Sequence, residues 1–174
     1  MRSLNRRGLA LLFLTLCLCA CSHRGPKTKD IISADGKFRI TVPAGWDVEK
    51  DLNDAADLQA SHRDSEMYIV VLSETKEDLH DMTLEGHSKL TREALLKTVQ
   101  DSSISGPTSV TVDGHPAVQY EIRGAVNHVN VVYLHTTVES PKYFHQILAW
   151  TVPSRFALNK TTLEQVTEKF HEMP

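Results

Sequence analysis

Cysteine is scarce in this chain of 174 residues, and its distribution is uneven. The three cysteines, Cys17, Cys19 and Cys21, all lie within the first 21 residues. The remainder of the chain therefore has no thiol for a disulfide, for a cysteine-ligated zinc site or for a cysteine nucleophile. Its stability has to come from an ordinary hydrophobic core, and a chain of about 150 residues is long enough to form one.

Signatures of catalysis are also missing. The sequence has no Gly-x-Ser-x-Gly nucleophile turn, no glycine-rich phosphate loop and no His-Glu-x-x-His metal motif. Ser73 and Lys76 match the Ser-x-x-Lys pattern of penicillin-binding enzymes, but the Ser-Asp-Asn and Lys-Thr-Gly motifs that accompany it there are absent. The sequence therefore predicts a protein that is not an enzyme and that needs no cofactor.

Excess positive charge is lacking as well. Three of the 19 Lys and Arg residues, and none of the 22 Asp and Glu residues, lie in the first 20 positions, so the rest of the chain has a net charge of about −6. An acidic surface offers no electrostatic footprint for nucleic acid and no attraction to anionic lipid headgroups. We expect no nucleic-acid partner, and any attachment to a membrane has to use something other than charge.

The N-terminus has the pattern of a secretory signal peptide. Arg2, Arg6 and Arg7 precede an apolar run of about 13 residues that ends at Ala20. This run is shorter than the roughly 20 residues that a membrane-spanning helix needs. Cys21 follows directly, and the stretch resembles a bacterial lipobox. The resemblance implies cleavage after residue 20, a diacylglycerol on the Cys21 sulfur and acylation of the new N-terminus.

This pattern predicts a division of the chain into a signal peptide (1–20), a lipidated polar tether (21–33) and one domain (34–174). An ordinary cleaved signal or an uncleaved anchor are the alternatives. Ser22 stands where inner-membrane lipoproteins of enteric-type bacteria carry a retaining aspartate. We therefore expect the protein to be anchored in the outer membrane and to face the periplasm.

The hydrophobic pattern favours an α+β fold. Residues 67–72, 131–134 and 147–150 are apolar at successive positions, which is typical of strands covered on both faces. One helix is predicted from Asp81 or Thr83 to about Val99, and a last helix begins at the capping box 161–164 and includes Phe170. A strand is predicted at Val110–Val112, and turn signals follow at Asp113-Gly114, near Gly124 and near Ser140-Pro141. Tight turns between the strands require antiparallel pairing. The predicted architecture is an α/β/α sandwich, a mainly antiparallel sheet covered by helices on both faces.

Three segments resemble PsbP-like proteins. Residues 35–46 match the opening strand and turn Phe-x-Ile-x-x-Pro-x-x-Trp, and residues 76–79 and 112–117 follow in the matching order. The resemblance implies the α/β/α sandwich that these proteins share with the bacterial DcrB lipoproteins. It also implies a binding or assembly role, because the family consists mostly of non-enzymatic binders and has no common catalytic residue.

A few side chains are candidates for a site. His135 and His145 would face each other across a hairpin if the turn near Ser140 had an odd number of residues, and they would be off register with an even number. They are weak metal-ligand candidates. Trp46 and Trp150 are predicted to belong mainly to the core, although Trp46 could instead line a cleft.

These observations predict a non-enzymatic, lipid-anchored protein of the cell envelope that binds a protein partner and acts as an accessory or assembly factor. The alternative is a periplasmic lipoprotein that binds a small ligand or a metal through the strands of His135 and His145. A partner-binding role predicts an exposed apolar patch, whereas a ligand role predicts a concave site with converging polar groups.

Overall fold

The computed structural model describes residues 27–174. Two α-helices and ten strands lie in this range, and two single turns of 3-10 helix occupy residues 63–65 and 76–78. In chain order the elements are β1 Thr28–Ile32, β2 Phe38–Pro43, β3 Asp47–Val48, β4 Leu58–His62, β5 Met67–Thr75, α1 Leu84–Leu96, β6 Gln100–Val112, β7 His115–Val126, β8 Val129–Glu139, β9 Tyr143–Thr151, α2 Pro153–Glu168 and β10 Phe170–Glu172.

The strands form two sheets. Seven strands form the larger sheet in the order β3-β4-β5-β9-β8-β7-β6, and β1, β2 and β10 form a smaller one with β2 in the centre. All the paired strands are antiparallel. The prediction of an α+β fold with a mainly antiparallel sheet is confirmed.

Two tight turns connect the long strands β6, β7 and β8. Asp113 and Gly114 form the predicted hairpin turn, and both have positive φ, at 53° and 77°. The next turn is Asn127-His128, with φ of 50° and 67°. Two left-handed residues in a two-residue loop match the right-handed twist of the flanking strands. The turn predicted near Gly124 is wrong, because Gly124 lies inside β7 opposite Val131.

The two helices begin differently. α1 follows Thr83, whose hydroxyl accepts a hydrogen bond from the backbone N–H of Gly86 at 3.0 Å, as a helix N-cap does. α2 begins at Pro153, eight residues before the predicted capping box, because proline fits the first helical turn without needing an N–H. Phe170 is not in this helix but in β10, opposite Ile40. Neither helix of the described chain is long and apolar enough to cross a membrane.

Two strands are longer or earlier in the chain than the sequence pattern indicates. β1 lies within the range predicted as a tether, 21–33, and pairs with β2 along its whole length. β6 is predicted only over Val110–Val112 but spans 13 residues, and nearly all of them are exposed. An edge strand with exposed faces needs no alternation of apolar residues, so the pattern carried no signal for it.

The main core lies where α2 and the smaller sheet meet the larger sheet. Phe156, Leu163 and Val166 of α2 pack in one buried cluster with residues of β2, β4, β5, β8 and β9. Ile40, Ile69 and Leu163 are each 0% exposed. α1 contacts the larger sheet at β7, β8 and β9.

We predict that Gly124→Ala lowers the free energy of unfolding by about 1–3 kcal/mol, measured by urea denaturation. A Cβ at this position would lie 2.6 Å from the backbone oxygen of Gln100 and would also clash with Val99. The control is Gly86→Ala, whose Cβ would meet mainly the flexible end of Met82 at 3.1 Å. That change should leave stability unchanged or raise it, because alanine favours a helix by about 1 kcal/mol over glycine. Equal effects of the two substitutions would contradict the assigned packing.

Candidate functional site

Cys21, the predicted lipidation site, lies outside the described residues, so its modification stays a prediction. The nearest described element is β1, which begins at Thr28. The other predicted site residues all lie within the described range, and the structure places each of them.

His135 and His145 do not form a pair. Glu139 is opposite Phe144, so four residues separate the last partners of the hairpin, which is the even-numbered case. His135 is opposite Leu148, and His145 is opposite Val138. Within residues 27–174 no group of three or more His, Cys, Asp or Glu side chains is arranged to hold a metal ion. The geometry gives no support to the weak metal site at these histidines.

His135 is fully buried beneath α1. Its Nε2 lies 3.1 Å from the Thr91 hydroxyl of α1. Burial, the largest cause, acts together with the nearby Arg92 and His87 to lower the pKa of His135 from its ordinary 6.5 to about 4. The imidazole is therefore neutral at physiological pH and acts as a buried hydrogen-bonding group of the core.

His145 lies in the middle of a chain of polar contacts that the sequence analysis missed. Its Nδ1 is 2.9 Å from the Ser73 hydroxyl of β5, and its Nε2 is 3.0 Å from a Glu172 carboxylate oxygen of β10. Burial lowers the pKa of His145, and the Glu172 carboxylate opposes that shift. The rings of Phe38 and Phe170 surround the imidazole at 5.3 and 4.7 Å. The arrangement ties β5, β9 and β10 together.

The Ser-x-x-Lys pattern does not form a nucleophile and base. Ser73 contacts His145, whereas the Lys76 ammonium binds the Glu139 carboxylate at 2.6 Å. Since Ser73 and Lys76 have separate partners, the spacing in the sequence corresponds to no shared site.

The two tryptophans differ in their surroundings. Trp46 is 0% exposed and belongs to the core, as predicted. Trp150 is only partly buried, so its assignment to the core is wrong. It stands in a row of aromatic side chains across three adjacent strands: Tyr68 is opposite Trp150, and Trp150 is opposite Tyr133. The ring centroids are 5.3 Å apart for Tyr68 and Trp150 and 5.7 Å apart for Trp150 and Tyr133.

We call Tyr68, Trp150 and Tyr133 the aromatic row. All three are partly exposed. The same line of cross-strand neighbours continues through Ile122 to Ile104 on the edge strand β6, and Ile104 is 45% exposed. Ile122 itself is 0% exposed, so the aromatic row and Ile104 are two separate apolar areas on this face. Partly exposed tyrosine and tryptophan rings are suited to contact another macromolecule.

Sequence reasoning could not find the aromatic row. Its three residues come from β5, β8 and β9, and they become neighbours only through the strand register. The available signal was the run of apolar residues in each strand, which predicts burial on both faces and not partly exposed rings.

Comparisons with known proteins support the fold. No protein-family model matches the sequence, and no curated protein matches it. The structure is similar to cyanobacterial PsbP (CyanoP) from Synechocystis sp. PCC 6803, with a TM-score of 0.59 and 14% identity over 90% of this chain and 99% of that one. It is also similar to LpqN of Mycobacterium tuberculosis, described as involved in cell envelope biogenesis, with a TM-score of 0.60 and 15% identity over 85% of this chain and 91% of LpqN.

A third similar structure is the Ran-binding protein Mog1p of Saccharomyces cerevisiae, with a TM-score of 0.58 and 14% identity over 84% of this chain and 96% of Mog1p. At such low identity the likeness concerns the fold alone. The predicted resemblance to PsbP-like proteins is confirmed at the level of the fold.

We predict that the stability of the protein falls as the pH is lowered from about 6.5 to 4, and that His135 contributes up to about 3 kcal/mol of this loss. The pKa of His135 is about 4 in the folded state and near 6.5 in the unfolded chain, so the unfolded state takes up the proton first. The stabilising effect of the neutral imidazole is complete above pH 6.5 and is lost towards pH 4. Urea denaturation across this range measures it.

His135→Gln should flatten the pH dependence, because the amide can still bond to Thr91 but does not titrate in this range. His80→Gln, at an exposed position, is the matched control and should leave the change of unfolding free energy with pH as it is in the unmodified protein. The same pH dependence in the unmodified protein and in both variants would show that His135 does not titrate as assigned.

Proposed function

We propose that this chain is a non-catalytic accessory protein of the bacterial cell envelope, which binds a protein partner through the aromatic row. The observation that carries the proposal is the partly exposed row of neighbouring rings formed by Tyr68, Trp150 and Tyr133. Two proteins of similar fold fit this role: Mog1p is a Ran-binding protein, and LpqN is involved in cell envelope biogenesis.

The chemistry of the row suits a protein partner. Tryptophan and tyrosine are enriched among the residues that dominate the free energy of protein association, because they contribute a large area at a small cost in conformational entropy. The rings of Tyr68 and Trp150 are stacked on each other at an interplanar angle of 15°. Their orientation is therefore already fixed before a partner binds, which lowers the cost of ordering them on association.

We infer further that the two helices cover opposite faces of the larger sheet. Successive residues of a strand point to opposite faces. His135 of β8 bonds to Thr91 of α1, whereas the adjacent Leu134 belongs to the buried cluster that includes Leu163 of α2. These contacts support the α/β/α sandwich that the sequence predicts.

The position of α1 explains why the aromatic row is open. α1 contacts the sheet through His87 on the Phe144 ring at 4.8 Å, Thr91 on His135 and Arg92 over the Tyr120 ring at 4.0 Å. Phe144 precedes Trp150 in β9, and His135 follows Tyr133 in β8. Because the two strands are antiparallel, both contact points of α1 lie towards the same end of the sheet relative to the row. α1 therefore crosses the sheet beside the row, and the three rings keep partly exposed surfaces.

Lipid attachment at Cys21 completes the proposal. The lipobox-like sequence and the acidic charge both support an anchor that depends on acyl chains, and Ser22 supports placement in the outer membrane facing the periplasm. β1 begins at Thr28, seven residues after Cys21. At about 3.5 Å per residue these seven residues span at most about 25 Å, so the anchor would hold the domain close to the membrane surface.

We expect Cys21→Ser to release the protein from the membrane fraction, because only a thiolate can accept the diacylglycerol. Three acyl chains hold far more firmly than the marginal affinity of one, so the unmodified protein should resist a high-salt wash. Cell fractionation and incorporation of labelled fatty acid measure the effect. Cys17→Ser is the matched control and should remain anchored; a membrane-bound, labelled Cys21→Ser protein would refute the anchor.

The partner-binding surface is tested by site-specific photo-crosslinking in intact cells. A photoreactive phenylalanine analogue at Tyr133 should give one defined protein adduct, and the same analogue at Leu158, which is 78% exposed on α2, should not. Adding Trp150→Ala should weaken association by about 2 kcal/mol, roughly 30-fold, and remove most of the adduct. Equal labelling from both positions, or an adduct that survives Trp150→Ala, would contradict the assignment.

A further inference from the structure

The larger sheet ends in two edge strands of very different length. β3, at one edge, has two residues, and one of them is the charged Asp47, which pairs with Lys29. β6, at the other edge, has 13 residues, and no strand of the described chain pairs with its outer side. No other backbone group between residues 27 and 174 bonds to that side. An edge strand of this length presents unpaired N–H and C=O groups that a further strand can bind.

Only the end of this edge is regular enough to pair over several residues. The register of β6 on β7 shifts at two places before Thr108 and is continuous from Thr108 to Val112. Pro107, directly before this stretch, has no N–H to offer a further strand. We call residues 108–112 the open segment of β6.

Pro116 of β7 shows which backbone groups of the open segment point outwards. In an antiparallel pair of strands, hydrogen-bonded and non-hydrogen-bonded residue pairs alternate. Thr111 is opposite Pro116, which has no N–H, so these two residues form a non-hydrogen-bonded pair. Ser109 and Val118, two residues away, form a pair of the same kind. The N–H and C=O groups of Ser109 and Thr111 therefore point away from β7.

The open segment is complementary to a second copy of itself. In an antiparallel pair centred on Val110, Ser109 of each copy lies opposite Thr111 of the other, and the backbone groups of both residues point outwards. Each of these pairs can exchange both of its N–H···O bonds. Val110 then lies opposite the same residue of the other copy in a non-hydrogen-bonded pair, and Pro107 stays outside the paired residues.

The side chains of the open segment also match in this register. Val110 would contact its equivalent, and the hydroxyl of Ser109 would lie beside that of Thr111; aliphatic and hydroxyl pairs of this kind stabilise neighbouring strands. Residues 102–112 include no charged side chain, so no like charges would lie opposite each other. For the same reason the edge has no charge with which to select an oppositely charged partner, and an uncharged strand such as its own copy suits it.

A groove beside the open segment leaves room for the added strand. Its volume is about 460 Å³, and it lies between β6 and α2. Thr108, Val110 and Val112 line it, and Val110 is only partly buried. Because alternate side chains of a strand share a face, a strand added to β6 would place every second side chain at the opening of this groove.

We propose that two copies of this chain associate by antiparallel pairing of their open segments, centred on Val110. The inference goes beyond the proposed function, because β6 contains no residue of the aromatic row. Both copies use the same surface, as is usual in a twofold dimer. Five residues from each copy form a small interface, so we expect a weak, reversible dimer with a dissociation constant of about 10–100 µM.

Sedimentation of the full chain in a non-ionic detergent measures the association. The proportion of dimer should rise with protein concentration up to about 500 µM, several times the expected dissociation constant. It should also rise when NaCl is increased from about 0.02 to 0.3 M, because each copy has a net charge of about −6 and salt screens their repulsion.

A charge exchange at exposed positions tests the register. Ser109→Lys/Thr111→Lys places lysine opposite lysine in the dimer, and Ser109→Glu/Thr111→Glu places glutamate opposite glutamate. Each double variant should associate about tenfold more weakly than the unmodified chain, whereas an equimolar mixture of the two should regain association. The lysine variant is less negatively charged overall, so general repulsion between copies cannot cause its loss. Both variants should keep the melting temperature, since both side chains are exposed.

Disulfide formation tests the centre of the pairing. In a chain whose three native cysteines are replaced by serine, Val110→Cys should form a disulfide-linked dimer under mild oxidation. A non-hydrogen-bonded pair has its Cα atoms about 4.5 Å apart, which a disulfide can span. Val48→Cys is the matched control: Val48 lies on the opposite edge strand β3, is 57% exposed and should cross-link much more slowly.

Three results would each overturn the proposal. The first is a chain that stays monomeric at the highest protein and salt concentrations. The second is association that survives in both charge variants, or a mixture that associates no better than either variant alone, because the contact would then lie on another surface. The third is equally fast cross-linking of the Val110→Cys and Val48→Cys chains.

Discussion

The antiparallel pairing of β5, β9 and β8 is the constraint on which the rest of this structure depends. Because side chains alternate between the faces of a strand, the register of these three strands decides which side chains lie next to one another on each face of the sheet. It places Leu134 in the buried cluster that includes Leu163, and the adjacent His135 against Thr91 of α1. The same register aligns Tyr68, Trp150 and Tyr133 into one row. A shift of one residue would exchange the two faces and remove all of these contacts together.

Buried polar contacts fasten the smaller sheet onto this framework. β10 is only three residues long, so its own ladder with β2 provides few hydrogen bonds. Two side-chain contacts compensate: Glu172 meets the buried His145 at 3.0 Å, and His171 meets Asp113 in the turn between β6 and β7 at 2.5 Å. Because His145 also bonds to Ser73, the histidine links three strands that are far apart in the sequence. Its role follows from geometry and needs neither a metal nor catalysis.

The sequence predicts the features of this fold that have a local cause. The turn at Asp113-Gly114 and the start of α1 depend on neighbouring residues; the turn is found as predicted, and the helix begins after Thr83, one of the two predicted starts. β1 and most of β6 were missed because their pairing depends on distant strands, β2 and β7, and not on their own composition. For the same reason the pattern could not place Trp150, whose exposure depends on where α1 crosses the sheet. The resemblance in three short segments was sufficient for the fold, since each segment encodes a strand and a turn, but these segments contain none of the residues of the aromatic row.

The aromatic row and the buried cluster use opposite faces of β8, because Tyr133 and Leu134 are consecutive residues of that strand. The strands that carry the row are paired along most of their length in one register. Close-packed sheets of this kind resist small displacements. The rings of the row are therefore held in place by the same register that forms the core, and a partner that contacts them would meet a surface that is already ordered.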